Sequence, residues 1–264
     1  MAISPTISEP MQYETDIAVV TAVLLVAARF SPVFLLTPIF AISKVPARVR
    51  VLLVLALSFL LVTGLNLKPI DTLSTFGSLF HALLIELMLG MMLAFGFFAA
   101  FGAFLFGGRI LDFQMGFGVA SLIDPATHAQ SPLIGTVLNL MAVITFFLLD
   151  GHHMLVRGLV YSLEKIPPGS SVRDLDTQIF IAHFGLMFVY GLAVVAPVVV
   201  TLLLLDVGMA VAARTMPQVN MFIIGFPLKI FLGLMVLALS LSYMGPLLEK
   251  IYASVFLFWQ RIIG

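Results

Sequence analysis

The chain has 264 residues, of which 61% are hydrophobic and 10% are charged, and its formal net charge is zero. Soluble domains are roughly 45–50% apolar and about 25% charged, so this composition excludes a water-soluble protein and indicates an integral membrane protein. The neutral balance gives no support to nucleic-acid binding, and the lack of cysteine excludes a disulfide framework.

A polar tail, residues 1–16, opens the chain. It carries acidic residues without Lys or Arg, so we expect it to be retained and not to be a signal peptide. About six apolar blocks follow, each near the ~20 residues with which a helix crosses a bilayer. They lie near residues 17–42, 49–65, 79–106, 133–160, 178–206 and 221–245. No alternating strand pattern occurs, so the predicted fold class is an all-α membrane protein.

Prolines and charges interrupt these blocks. Pro32, Pro38 and Pro197 lie inside apolar runs, and each removes a backbone donor, so several helices are expected to be broken or kinked. A charge in hydrocarbon costs at least about 2.5–3.5 kcal/mol, so charges here are expected to face protein and not lipid. The charged residues within or at the ends of the blocks are Arg29, Glu86, Asp150, Asp206 and Lys229.

The distribution of Lys and Arg does not predict an orientation. Cytoplasmic connections normally carry the excess of these residues. Here the two sets of alternate connections carry nearly equal numbers. The tie favours segments that do not all cross the bilayer in the ordinary way.

The first unusual connection is the basic turn KVPARVR at residues 44–50, which contains Pro46, Arg48 and Arg50. Two interpretations have equal weight. The turn is either a structural loop that anchors the chain at the cytoplasmic face, or a segment with a functional role that its residues alone do not define.

The most unusual connection is residues 107–132, GGRILDFQMGFGVASLIDPATHAQSP. Glycine permits a positive φ or a close backbone approach, and Met and Phe supply deformable, bulky apolar packing. We predict a bendable apolar loop that acts as a closure or contact surface; a re-entrant connector that only fills space is equally compatible. Its glycines are at positions 107, 108, 116 and 118, and its apolar residues include Phe113, Met115 and Phe117.

A third segment, MPQVNMFIIGFPLK, covers residues 216–229 and includes Pro217, Asn220, Gly225, Pro227 and Lys229. A helix start with proline in its first turn, and with the lysine snorkelling to the interface, is favoured over a ligand site. Residues 246–264 place apolar side chains at helical spacing and predict a C-terminal amphipathic helix.

No motif indicates catalysis. The run Asp150-Gly151-His152-His153 looks like a set of metal ligands, but it ends an apolar block, where histidine is more often a polar interface residue. The sequence contains no HExxH, no phosphate-binding loop, no dinucleotide fingerprint and no GxSxG. We therefore predict no enzymatic activity, metal or cofactor. Acids inside membrane segments leave an ion-coupled transporter acting alone as the alternative function.

Three segments in order resemble one family. PARVR at 46–50, QMGFGVASLIDP at 114–125 and PQVNMFIIGFPLK at 217–229 are similar to segments of the FliR-type flagellar biosynthetic proteins. The counterparts of that family in virulence systems are the SctT-type type III secretion proteins. Order, spacing and length match along nearly the whole chain, and the flagellar branch is the better match.

This resemblance implies a non-enzymatic core subunit of the flagellar export gate, in the bacterial inner membrane at the basal body. It implies one domain over residues 1–264, with helices in bent hairpins. FliP-type and FliQ-type subunits complete a helical assembly around a pore, which projects towards the periplasm, and FlhB-type and FlhA-type proteins associate with it. Unfolded rod, hook and filament subunits pass through, and no cofactor is needed.

The resemblance also implies roles for individual residues. A loop around residues 106–121 is expected to plug the pore, with the closing residues Phe106, Phe113, Gln114, Met115, Gly116, Phe117 and Gly118. Structural or subunit contacts are expected from Arg29, Pro46, Arg48, Arg50, Glu86, Asp124, Pro217, Asn220, Gly225, Pro227 and Lys229.

Overall fold

The structure is a computed structural model that describes residues 9–42, 45–67, 75–117, 132–170, 176–216 and 221–264. Every regular element in these ranges is a helix, which confirms the predicted all-α membrane fold. The helices are α1 (Glu9–Leu36), α2 (Pro38–Ile42), α3 (Ala47–Gly64), α4 (Phe76–Met115), α5 (Leu133–Leu148), α6 (Gly151–Lys165), α7 (Thr177–Thr215), α8 (Met221–Leu241) and α9 (Gly245–Ile263).

Length and hydropathy identify the membrane-spanning helices. Among the described residues, five helices are long and apolar enough to cross a membrane, namely Ile17–Leu36 of α1, the whole of α3, α4 and α7, and Ile223–Leu241 of α8. Helices α5 and α6 qualify only together, as one broken span, which raises the number to six. The chain breaks between them at Asp150, whose φ is 55°. The apolar blocks of the sequence therefore correspond to real helices.

Proline disturbs the helices less than predicted. Helix α2 begins at Pro38, as expected of a break there, but α1 and α7 continue through Pro32 and Pro197. A break at these two positions is wrong, because a long apolar helix tolerates the loss of one backbone hydrogen bond when neighbouring groups satisfy the freed carbonyl; the alternative of a kink there stays a prediction. Helix α8 begins at Met221, so Pro227 lies beyond its first turn and the predicted helix start at this proline is also wrong.

The chain forms two compact units. The first contains Met1–Phe98, His152–Thr177 and Phe258–Gly264, and the second contains Ala99–Gly151 and Gln178–Leu257. Helices α4 and α9 each continue from one unit into the other. The single domain implied by the family resemblance therefore stays a prediction.

In the first unit, α1 packs against α3. The only tryptophan of the sequence, Trp259, is buried there and donates a hydrogen bond from Nε1 to the carbonyl of Leu93 at 2.9 Å. Its ring meets that of Phe97 edge-on, with the centroids 5.6 Å apart. These contacts hold the last turns of α9 against Leu93 and Phe97 of α4.

In the second unit, the rings of Phe101, Phe146 and Tyr252 form an aromatic cluster, with Phe146 and Tyr252 centroids 5.5 Å apart. The Tyr252 hydroxyl donates to the carbonyl of Ala142 at 2.6 Å. Burial raises the pKa of Tyr252 above its ordinary value, so the phenol stays a neutral donor. Helix α9 has the predicted amphipathic character: it buries Ile251 and Val255 and exposes other residues, among them Glu249, Lys250 and Arg261.

Candidate functional site: the end of helix α4

Helix α4 continues well past the point where the loop was predicted to begin. Residues 107–115 are helical, so the prediction of a loop starting at Gly107 is wrong. The helix ends at Gly116, whose φ is 85° and whose N–H donates to the carbonyl of Phe113 at 3.2 Å. A left-handed residue after the last turn is a common helix terminator, and glycine adopts that conformation without strain.

The paired glycines at 107 and 108 serve close helix packing and not bending. A Cβ atom on Gly107 would lie 2.6 Å from the carbonyl oxygen of Gly191 in α7. One on Gly108 would overlap the backbone of Gly135 in α5. Small residues of this kind allow helices in membranes to approach until their backbones touch. The glycines that suggested flexibility therefore mark a tightly packed part of the chain.

Asp112 connects the end of α4 to the start of α5. Its buried carboxylate accepts hydrogen bonds from the N–H groups of Ile134, at 3.0 Å, and of Gly135, at 3.4 Å. Helix α5 follows Pro132, which makes no side-chain capping bond. The first N–H groups of a helix lack partners within it and favour an anion. Asp112 therefore caps α5 from a neighbouring helix, a role that no sequence pattern indicates.

The residues predicted to form the closure do not share one environment. Met115 is fully buried within the chain, and its side chain would collide with a Cβ atom on Gly233 of α8. Phe113 is 84% exposed. The ring of Phe106 packs edge-on against Phe188, with centroids 5.0 Å apart. Exposed Phe113 is therefore available for contacts outside the chain, whereas Met115 anchors the helix end.

Two other closure candidates lie near Met115. Phe117 is half-buried, and the Oε1 atom of Gln114 is buried without a hydrogen-bond partner among the described residues. Gly118, Asp124, Pro217 and Asn220 lie outside the described residues.

The second and third sequence segments meet at Gly116. The ring of Phe226, from the GFPLK part of α8, lies directly over it: a Cβ atom on Gly116 would be 3.1 Å from Cζ of that ring and closer still to two other ring atoms. Beside it, Gly225 is buried, and a Cβ atom there would lie 2.9 Å from Sδ of Met209 in α7. The sequence had identified these segments separately, without indicating that they are in contact.

Arg29 and Glu86 form a buried ion pair between α1 and α4 in the first unit. Nε of Arg29 lies 2.5 Å from Oε2 of Glu86, and Nη2 lies 3.0 Å from Oε1. Nη1 donates to the carbonyl of Ser162 at 2.8 Å, and Glu86 also accepts from the N–H of Gly169 at 2.9 Å. The expected protein partners of these two charges are therefore found within the chain, where the pair joins α1, α4 and α6.

Lys229 and Asp206 form a second ion pair, between α8 and α7, at 2.6 Å. The Asp206 side chain is 44% exposed and that of Lys229 is 22% exposed. Neighbouring residues on the two helices, such as Leu203 and Phe231, expose large apolar side chains. This pair is therefore only partly enclosed by its own chain.

In the basic turn, Nη1 of Arg50 donates to the carbonyl of Leu35 at 2.6 Å, near the end of α1. Pro46 directly precedes α3, and Arg48 is exposed. Arg50 thus stabilises the α1–α3 connection, while Arg48 is available to groups outside the chain.

The described helices and these sites define an integral membrane protein with two interhelical ion pairs, whose longest described helix ends in a glycine-terminated aromatic segment. The chain belongs to the family of bacterial export proteins, family 1. Residues 20–255 match the sequence model of that family.

Named relatives agree with this family. The flagellar biosynthetic protein FliR of Bacillus subtilis (strain 168) is 32% identical over 239 residues, covering 88% of this chain and 90% of that protein. The protein of the same name from Escherichia coli (strain K12) is 28% identical, covering 86% and 87%. The Yop proteins translocation protein T of Yersinia pestis is 26% identical over 147 residues, which cover 54% of this chain and 56% of that protein.

Proposed function

We propose that this chain is the FliR-type subunit of the flagellar type III protein export gate in the bacterial inner membrane. The observation that carries the proposal is the match along almost the whole chain to flagellar relatives that are 28% and 32% identical. The role is structural and gating and involves no catalysis. Unfolded rod, hook and filament subunits are the proposed cargo.

The proposed partners are FliP-type and FliQ-type subunits around a common pore, with FlhB-type and FlhA-type proteins attached and the assembly projecting towards the periplasm. The Asp206–Lys229 pair supports such partners, because Asp206 is 44% exposed among apolar side chains. A charge left towards hydrocarbon is costly, so protein or water is the favoured neighbour. The alternative of a lone ion-coupled transporter has no comparable support, and both oxygens of Glu86 are engaged within the chain.

The proposed closure is the segment from Phe113 to Phe117 and its continuation. An exposed phenylalanine at a helix end offers an apolar surface that excludes water from a narrow pore. Glycine at 116 sets the direction in which the chain leaves the helix. Passing substrates would displace this surface, which re-forms after they leave.

The test is ion leakage of the assembled gate. The chain is co-expressed with FliP-type and FliQ-type subunits, purified as a complex and placed in liposomes. Deletion of residues 113–117 is expected to leave co-purification intact and to raise the ion flux well above that of the unaltered complex. Gly185→Ala, at a position with nothing within 4 Å of an added Cβ, serves as the matched control and is expected to stay at background. An assembled deletion complex with background flux would show that this segment is not the closure.

A further inference from the structure

The proposed closure begins at the end of helix α4, which contacts α5 and α8. These two helices hold it by different kinds of contact. On one side, the carboxylate of Asp112 bonds two backbone N–H groups of α5, and Gly108 lies against the backbone of Gly135. Backbone contacts and buried charge-assisted bonds of this kind are rigid. Helix α4 up to Asp112 is therefore fixed to α5.

On the other side, the contacts that the structure describes between the helix end and α8 are apolar. The Met115 side chain packs on Gly233, and the Phe226 ring lies on Gly116. Methionine is unbranched and deformable, and a ring resting on a glycine has no side chain to interlock with. Phe226 is itself half-buried. The apolar contacts with α8 can therefore separate, whereas the hydrogen bonds of Asp112 to α5 stay in place.

Gly116 is also the point at which the backbone changes direction, because its φ of 85° ends α4. A ring positioned over this residue restricts the backbone conformation of Gly116 itself. Residues on either side of this point, Phe113 and Phe117, belong to the proposed closure.

From this geometry we infer that Phe226 is a positioning residue for the closure: its ring, resting on Gly116, holds the end of α4 in the closed direction. The inference rests on the proposed function. It gives the GFPLK segment a task beyond helix packing, namely coupling α8 to the closure. Displacement of the closure would require the Phe226–Gly116 contact to separate while Asp112 keeps its bonds to α5.

The experiment measures ion flux per assembled complex, as above, for Phe226→Ala and Phe226→Leu. Leucine keeps much of the apolar volume and protects assembly while it removes the flat ring. We expect Phe226→Ala to raise the flux about tenfold, the shift in a two-state equilibrium that corresponds to about 1.4 kcal/mol, and Phe226→Leu to raise it less. Leu239→Ala, on the same helix at a residue that is 63% exposed, is the matched control and is expected to leave the flux unchanged.

A double substitution separates positioning from general damage to the fold. Gly116→Ala alone forces a methyl group onto the ring and is expected to raise the flux. If Phe226 acts through Gly116, the flux of Gly116→Ala/Phe226→Leu is no greater than that of the more leaky single variant, because contacting residues that act together are not additive. Fully additive effects, or background flux in any assembled Phe226 variant, would overturn the inference. If residues 113–117 are deleted without leakage, the proposed closure itself fails; if that deletion leaks and the Phe226 variants do not, only the role of Phe226 fails.

Discussion

At the residue scale, two of the charges inside the apolar helices, Arg29 and Glu86, form a buried ion pair. Arg29 and Glu86 share two hydrogen bonds and are satisfied further by Ser162 and Gly169. A buried pair of this kind adds little net stability by itself, but it becomes costly when one partner is removed. Its effect is therefore to define how the helices that carry it are arranged.

Replacing Glu86 with alanine tests this view. The change leaves Arg29 buried without its carboxylate, and removal of one member of a buried pair costs about 3–5 kcal/mol. The thermal unfolding of the purified protein in detergent should shift to a clearly lower temperature. Glu249→Ala, at an exposed position of α9, is the control and should leave it unchanged. Equal unfolding temperatures for Glu86→Ala and the native chain would contradict the structural role of the pair.

The glycines give a second residue-scale prediction. An added Cβ at Gly108 overlaps the backbone of Gly135, whereas one at Gly185 meets nothing within 4 Å. Gly108→Ala is expected to separate α4 from α5 and to cost about 1–3 kcal/mol, as overpacking does. Gly185→Ala is expected to stabilise α7 by about 0.5–1 kcal/mol. Chemical unfolding of the two variants measures both effects; a stabilised Gly108→Ala protein would show that the α4–α5 contact is looser than described.

At the element scale, helix α4 matters most, because it carries a buried charge, a glycine contact surface and the proposed closure along a single element, Phe76–Met115. The start of α5 depends on it through Asp112. A helix start that is capped by a side chain of another helix is stable only while the two helices remain in contact.

Asp112→Ala should therefore destabilise this part of the chain. It leaves the buried N–H groups of Ile134 and Gly135 without the carboxylate, at a cost of about 1–3 kcal/mol. Asp112→Asn keeps a carbonyl acceptor and is expected to cost less. Arg109→Ala, exposed on the same helix, should change the stability by no more than about 0.5 kcal/mol. Hydrogen exchange at the first turn of α5 reports the effect directly, and unaltered exchange in Asp112→Ala would refute the capping role.

Sequence patterns predicted the helices far better than their ends and contacts. Apolar length identified the spanning helices, because a bilayer imposes a simple length requirement. The patterns were wrong at Gly107, where they predicted a loop, and at Pro32 and Pro197, where they favoured a break. At these positions glycine and proline were interpreted only by their effect on the local backbone. In a packed membrane helix the same residues are explained by neighbouring helices, which a single sequence does not reveal.

The candidate site was predictable only in part. The aromatic and glycine pattern pointed to the segment around Met115, and apolar context predicted that Arg29 and Glu86 would face protein. Nothing in the spacing indicated that Phe226 lies on Gly116, or that Asp112 caps α5, because these contacts join residues far apart in the chain. Mid-helix glycines such as Gly108 and Gly233, each of which costs about 1 kcal/mol relative to alanine, are a sequence signal of close packing.

At the scale of the whole molecule, the chain is a membrane protein of the bacterial export family with much apolar surface and a partly exposed ion pair. A protein that works alone in lipid has no need to leave Asp206 exposed among apolar side chains. A subunit of a larger assembly covers such a pair with a neighbouring protein. The proposed function therefore requires this chain to be one member of a complex.

The most direct test is co-purification. An affinity-tagged form of this chain is expressed together with the FliP-type and FliQ-type subunits of the same cell, and the purified species is weighed by native mass spectrometry. We expect a stable complex that contains all three proteins, and its loss when the subunits are expressed separately. A stable monomer or dimer of this chain alone, formed even though the other subunits are present, would contradict the assignment as an export-gate subunit.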